Sequence, residues 1–549
     1  MCALPDNLTA TEKEVVDAVS AGRAWSNPNG IPTSEDLEDE DFVAKMPEVR
    51  AEVIRALCLG ARLNDAKPDP AGVRISGARI VGKLDLSFAT VDVRLSLRDC
   101  HFADEPNFMQ AKLAFLNLSG SRLEKGLRAD RVKVAGSLFC QDGFHADGEI
   151  RLLGAEIGGD VTFIAARLNN PGEDVLSADG VKIAGDLFCR NGFNADGEIR
   201  LLGAEVGGDV SFSGASLKNP DKRALTADRV KTAGSLFCDD GFSINGTASF
   251  IGSLTGKRFY WKPTQWTGQL GLSYAHARQW ADNWRGDGWK NDDTPVDGEP
   301  DLDIDAFAYD ALAGKGTDKD AASRIAWVRK SQAERKFVPG PYEILAKALR
   351  AAGDEDGANE VAYAKRADRA KARKHKLGRR ISDFLLGAVV GYGYKPWRGL
   401  AWLIGLLITG FCVFSLAGPM AEGGTGAIKP AVPIVFDNNL ARCEADVWHP
   451  GQACKTFIDK IEPLETHRIY YFLPIEYTPF SPFWYALDTL IPLVDLGQET
   501  AWSPSPIDQS VFKDPWGWAV LIYLYAHIIM GWLLTTLTVV ALTGVIKKE

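Results

Sequence analysis

Between Ala155 and Phe163 the chain alternates. Ala155, Ile157, Val161 and Phe163 are apolar, and Glu156, Gly158, Asp160 and Thr162 stand between them. A period of two places successive side chains on opposite faces, so the segment is predicted as strand with one face buried. Glycines recur every few residues, as tight corners between short strands require. The pattern also repeats at long range. Val132-Lys-Val-Ala-Gly-Ser-Leu-Phe-Cys140 returns as Val181-Lys-Ile-Ala-Gly-Asp-Leu-Phe-Cys189 and again as Val230-Lys-Thr-Ala-Gly-Ser-Leu-Phe-Cys238, each step 49 residues. A fixed period of this size predicts a solenoid of stacked units. The expected unit is a pair of β-coils of roughly 20–25 residues each. A related motif at Gly77 to Leu86 places the start of the β-helix near residue 70.

Elsewhere the period changes. Apolar spacing predicts helices over Ala10 to Ala21, capped by Thr9 or Thr11, and over Pro47 to Gly60, the latter covering the open end of the solenoid. The acidic run Ser34 to Asp41 reads as a solvated loop. After Phe242 the repeat decays into a Trp-rich, then Asp/Gly/Pro-rich stretch. Asp301 to Asp305 alternates acids with Leu302 and Ile304, which predicts a strand with a wet face. Pro341 to Ala352 and Ala358 to Lys374 are expected as a helical hairpin broken at Gly353.

Two uncharged runs, Gly399 to Gly418 and Trp516 to Ile546, are long enough to cross a bilayer. The expected architecture is therefore mainly β: a single-stranded β-helix, then a helical hairpin, then two transmembrane helices. Its divisions are a helical cap (1–65), the β-helix (66–312), a hairpin with a basic juxtamembrane segment (313–380) and a membrane domain (381–549). Lys371, Arg373, Lys374, Lys376, Arg379 and Arg380 precede the first span, and Lys547 and Lys548 close the second. Basic residues on these outer flanks meet anionic headgroups and predict that both termini are cytoplasmic. Met1 to Lys13 lacks the pattern of a signal peptide, which agrees. Gly391-Tyr392-Gly393 copies a potassium-filter tripeptide but precedes the first span, so it reads as a turn.

The formal net charge of −10 argues against nucleic acid as a partner. The expected partners are the lipid bilayer and a protein or ligand on the β-helix. Cys140, Cys189 and Cys238 are expected as a column of buried side chains, with a metal ladder as the alternative. Cys443 and Cys454, between the spans, are candidates for a disulfide, with free thiols or a site with His449 or His467 as alternatives. Within Pro479 to Ser503 the apolar part is too short to span. It reads as an interfacial or re-entrant helix packed on the two spans. The alternative is a pore loop, with Asp488, Thr489, Asp495 and Gln498 near the conduction path of a homo-oligomer. His527 is the ionisable group inside a span, either functional or neutral and bonded to backbone, Tyr523 or Tyr525.

Several stretches together resemble bacterial pentapeptide-repeat-like β-helix membrane proteins that are often labelled membrane-associated oxidoreductases. They are Val49 to Leu57, the Gly-Glu-Ile-Arg-Leu-Leu-Gly-Ala repeats, Phe307 to Leu312, Pro341 to Leu345, Gly391 to Arg398 and Val494 to Gln498. The resemblance implies a β-helix on a two-helix membrane anchor, and by label a redox reaction, for which Cys443, Cys454 and His527 are the candidates. No Gly-x-Gly-x-x-Gly after a strand, no Cys-x-x-Cys and no flavin or haem signature accompanies it, so no cofactor is expected. The leading expectation is a non-enzymatic recognition or sensing scaffold held at the bacterial inner membrane. A gated channel and an oxidoreductase are the alternatives.

Overall fold

The computed structural model describes residues 4–61, 69, 71–283, 302–332, 337–372, 386–395, 397–419, 427–430, 434–437, 469–472, 478–491, 494–505 and 515–543. The chain divides into two compact units, 1–372 and 373–549.

In the first unit short strands stack in parallel as a β-solenoid of about nine turns. The register is continuous. Thr90, Lys112, Lys133, Glu156, Lys182, Glu205, Lys231, Leu254, His276 and Ala308 occupy one row, each paired with the next. Glu156 stands 23 positions after Lys133, and Lys182 stands 26 after Glu156. The two coils of a 49-residue unit therefore differ by three residues. The longer connection is accommodated in the outward strand Arg167–Ser177, and again in Ser216–Thr226, each pairing with register shifts.

The interior explains why the unit is two coils and not one. Leu118, Cys140, Phe163, Cys189, Phe212, Cys238 and Trp261 follow from the register as one buried column. Rings alternate with thiols, so each large side chain rests on a small one. The interleaved Phe163 and Phe212 keep the cysteines two coils apart. The column thus carries no metal ladder, because a shared ion needs thiolates on adjacent coils.

The open N-terminal end is covered as the helical spacing implied, with one difference. Helix α1 (Ala10–Ser20) starts in a capping box, in which the Glu12 amide donates to Thr9 Oγ1 and the Thr9 amide to Glu12 Oε2. The stretch expected as one helix from Pro47 splits into a strand, Glu48–Arg50, and helix α2 (Ala51–Cys58). Arg50 is extended because its backbone pairs with Val81 of the next coil. Together with Trp25–Ser26, which pairs with Ile75 and Ser76, this strand brings the first coil well before residue 70. Val15, Val16 and Val19 of α1 and Val53, Ile54 and Leu57 of α2 are buried in the solenoid core. At the other end lie helices α3 (Ala321–Lys330), α4 (Gly340–Ala351) and α5 (Glu355–Ala372). α4 and α5 are the expected hairpin, broken at Gly353, and α3 adds a third arm before it. Both ends of the β-stack are thereby covered, which removes the exposed edges that would template aggregation.

The second unit is built on helices α6 (Trp397–Ala417) and α9 (Pro515–Leu542), with the short α7 (Pro482–Leu490) and the one-turn α8 (Gln498–Ala501) between them in sequence. α6 and α9 are long and apolar enough to cross a membrane. Leu400, Ile404, Ile408 and Phe411 on α6, and Ile522, Ile529 and Leu533 on α9, are exposed. An apolar exterior of this length fits a lipid environment.

Candidate functional site

The solenoid carries a groove of about 1540 Å³ along one side wall, lined from Thr90 at one end to Asp310 at the other. Three rows of side chains build it. The strand alternation turns Val134, Ile157, Ile183 and Val206 into the core and leaves the residues on either side facing out. On one side stands the row Lys112, Lys133, Glu156, Lys182, Glu205 and Lys231. On the other stand Ala114, Ala135, Gly158, Ala184, Gly207, Ala233 and Gly256. The second row is small of necessity. A Cβ on Gly158 would lie 2.2 Å from the Ala135 carbonyl oxygen, and one on Gly207 would lie 2.3 Å from that of Ala184. The glycine coils step in against their neighbours, and this leaves an open floor beside the charged row.

The floor amides at these coils are already engaged. The Gly158 amide donates to the Val134 carbonyl at 2.8 Å and the Gly207 amide to that of Ile183 at 2.8 Å. Beyond the floor a column of side chains ties coil to coil. The Asp186 amide donates to Asp160 Oδ1 (2.9 Å), the Asp209 amide to Asp186 Oδ1 (2.6 Å) and the Ser235 amide to Asp209 Oδ1 (2.7 Å). These acids hold the corner of the coil and are spent on backbone donors.

From Lys133 to Lys231 the signs in the charged row alternate. Lys133 Nζ lies 2.8 Å from Glu156, and Lys231 Nζ lies 3.1 Å from Glu205. Lys182 stands between the two glutamates in the register, yet among the described residues no carboxylate pairs with it within 4 Å. The Lys133 partner holds the Glu156 carboxyl below the usual carboxylate range, and Lys231 does the same for Glu205. Both glutamates thus stay charged through the physiological range. The repeat sentences of the sequence contained this row, since Lys follows Val at the start of each and Glu precedes Ile157 and Val206. What sequence reading could not supply was that lysines and glutamates from alternate coils share one line.

The residues singled out between the spans take different places. Asp488 is buried on α7, and its carboxylate accepts three backbone N–H groups, from Leu496 (2.7 Å), Gln498 (2.8 Å) and Glu499 (2.9 Å). It closes the loop back onto α7 and caps α8. Gln498 is also buried. Its Oε1 accepts the Ser481 amide at 3.1 Å and its Nε2 donates to the Pro479 carbonyl at 3.1 Å. Thr489 donates to the Tyr485 carbonyl at 2.8 Å. Asp495 is exposed and accepts the Gly497 amide at 2.9 Å. Asp488 and Asp495 therefore differ in kind, one bound inward and one open to the surroundings.

His527 on α9 is buried, with Nε2 3.2 Å from the Ala486 carbonyl and Nδ1 3.3 Å from the Tyr523 hydroxyl. It stitches α9 to α7. Gly410 of α6 makes room for it, since a Cβ there would meet His527 Cε1 at 2.7 Å. Phe414, Phe480, Tyr485, Ala486 and Trp502 complete the apolar cluster between these helices. Gly391–Gly393 forms a single 3-10 turn, as its position before the span implied. Lys371 is exposed in the last turn of α5. Cys443 and Cys454, and Arg373, Lys374, Lys376, Arg379 and Arg380, lie outside the described residues.

Comparison with protein-family models, with curated proteins and with solved structures finds no match to this chain.

Proposed function

We propose that this is an integral protein of the bacterial inner membrane, anchored by α6 and α9, whose β-solenoid is a recognition scaffold and not a catalyst. The observation that carries the reading is the groove: a long periodic wall on a regular stack, with its floor amides at Gly158 and Gly207 engaged and its row of charged side chains exposed. A repeat scaffold of this kind presents an extended surface that suits binding. The anchor reading rests on the two long apolar helices with outward-facing aliphatic side chains. The basic residues on their outer flanks support cytoplasmic termini.

Between the spans, the commitment of Asp488 to three backbone amides supports a packed interfacial or re-entrant helix over a pore loop, whose acids would face a lumen. The test is twofold. Full-length protein should stay with the membrane through an alkaline carbonate wash, and release into the supernatant would refute the anchor. Purified full-length protein should turn over no flavin, haem or nicotinamide substrate. Turnover that survives alanine substitution along the groove would refute the scaffold reading, and single-channel currents in planar bilayers would favour the pore.

A further inference from the structure

The groove is periodic, and its period is the clue to its occupant. Lys133, Lys182 and Lys231 recur every second coil in one row, with Glu156 and Glu205 between them. Neighbouring strands lie ~4.8 Å apart, so the lysines recur roughly every 9.5 Å along the solenoid axis. The floor repeats in phase, Ala135, Gly158, Ala184, Gly207, Ala233 and Gly256. A wall with a translational period selects a linear ligand of the same period.

Chemistry narrows the choice. Charges of alternating sign oppose a uniformly anionic polymer, so nucleic acid is disfavoured. The floor has no aromatic ring on which a sugar face could stack. Because the floor amides at Gly158 and Gly207 already donate within the solenoid, a β-strand could not add by taking up those donors. A β-strand also returns to the same face every ~6.6 Å, out of step with the wall. A polyproline II helix does match: three residues per turn at 3.1 Å rise return every third side chain to the same face after ~9.3 Å. It also makes no internal or ladder hydrogen bonds, so it needs none of the floor amides that are already engaged.

We infer that the groove docks a polyproline II segment of a partner protein, with an acidic side chain at every third position meeting Lys133, Lys182 and Lys231. The inference rests on the scaffold reading and supplies its ligand class. Lys182 is the anchor, because it lies between two glutamates in the row and has no carboxylate partner within 4 Å among the described residues.

The experiment uses full-length protein in detergent micelles and fluorescence anisotropy. The probe is a labelled peptide of five Pro-Pro-Glu triplets, set against a peptide of equal composition with its glutamates consecutive. The regular peptide is expected to bind at least tenfold more tightly. Lys182→Glu, an exposed substitution, should weaken it at least tenfold, and Lys182→Arg should retain it. Equal affinity for the two peptides, no binding of either, or indifference to Lys182→Glu would overturn the inference. A neutral oligosaccharide that binds in a Lys182-dependent way would overturn it too, yet leave the scaffold reading standing. Cofactor turnover would sink that broader reading separately.

Discussion

Arg324 on α3 donates through both terminal nitrogens to the two carboxylate oxygens of Asp282, at 2.7 and 2.6 Å, and both side chains are fully buried. Asp282 ends a solenoid strand, so the pair joins the last regular coils to the helices that cover them. Asp282 also accepts from Trp280 Nε1 at 2.7 Å, and Arg324 Nε donates to the Asp318 carbonyl at 2.6 Å. With so many polar atoms matched, the pair is tolerable where a lone charge would not be. Arg324→Met should strand the Asp282 carboxylate and cost about 3–5 kcal/mol, whereas Arg324→Met with Asp282→Leu should recover most of the loss. Urea unfolding of the two variants beside the parent checks both outcomes.

The other end offers a pH signature. Burial alone would raise the Glu12 carboxyl. Hydrogen bonds from the Arg50 side chain and from the Thr9 and Arg50 amides, with the Arg50 charge, outweigh it and bring the group from an ordinary 4.5 down to about 2. A folded value below the unfolded one means stability that is present above pH 4.5 and lost as pH falls towards 2. Glu12→Gln should lower stability at neutral pH by about 1–2 kcal/mol and remove this acid-dependent part. Melting temperatures of both proteins between pH 7 and pH 2 should converge as the pH drops. A constant gap would refute the assignment.

The Cys/Phe column predicts opposite responses to volume. Phe163→Ala should cost about 3–5 kcal/mol by leaving a cavity between Cys140 and Cys189. Cys189→Phe should cost about 1–3 kcal/mol or more by pressing three rings into adjacent coils. Burial pushes the Cys100 thiol up to about 12 and raises those of Cys140, Cys189 and Cys238 above the usual thiol range. A maleimide should therefore leave these four unmodified in the folded protein and label them in denaturant. Mass spectrometry of the native and unfolded samples reads this directly.

In the second unit, Asp488→Ala should leave the Leu496, Gln498 and Glu499 amides without their acceptor, a local cost of about 1–3 kcal/mol. Protease cutting between 490 and 505 should then quicken, whereas the exposed Asp495→Ala should change it little. Equal sensitivity of the two variants would argue against the capping role.

Much of this was legible in the chain. Alternation between Ala155 and Phe163 implied strand because side chains on a pleated backbone turn up and down in every context. The 49-residue spacing implied stacked coils, and the uncharged runs implied spans. The start of the solenoid was misjudged, because Trp25–Ser26 and Glu48–Arg50 are strands only by pairing with later coils. Their own sequence has no period long enough to declare it.

Local order within the repeats, then, was settled by the sequence alone: that residues 132–242 run as coil strands, that the repeat counts coils in pairs, and that two long apolar helices follow. Tertiary structure decided which residues meet. Coils of 23 and 26 residues put Lys133, Glu156 and Lys182 in one row and set Phe163 between two cysteines. It also turned the Asp488 carboxylate onto amides eight to eleven residues ahead, and set Arg324 against an acid 42 residues behind it. The physical reason is one of range. Strand and helix periods arise from backbone geometry between near neighbours, whereas these meetings depend on how the intervening loops close.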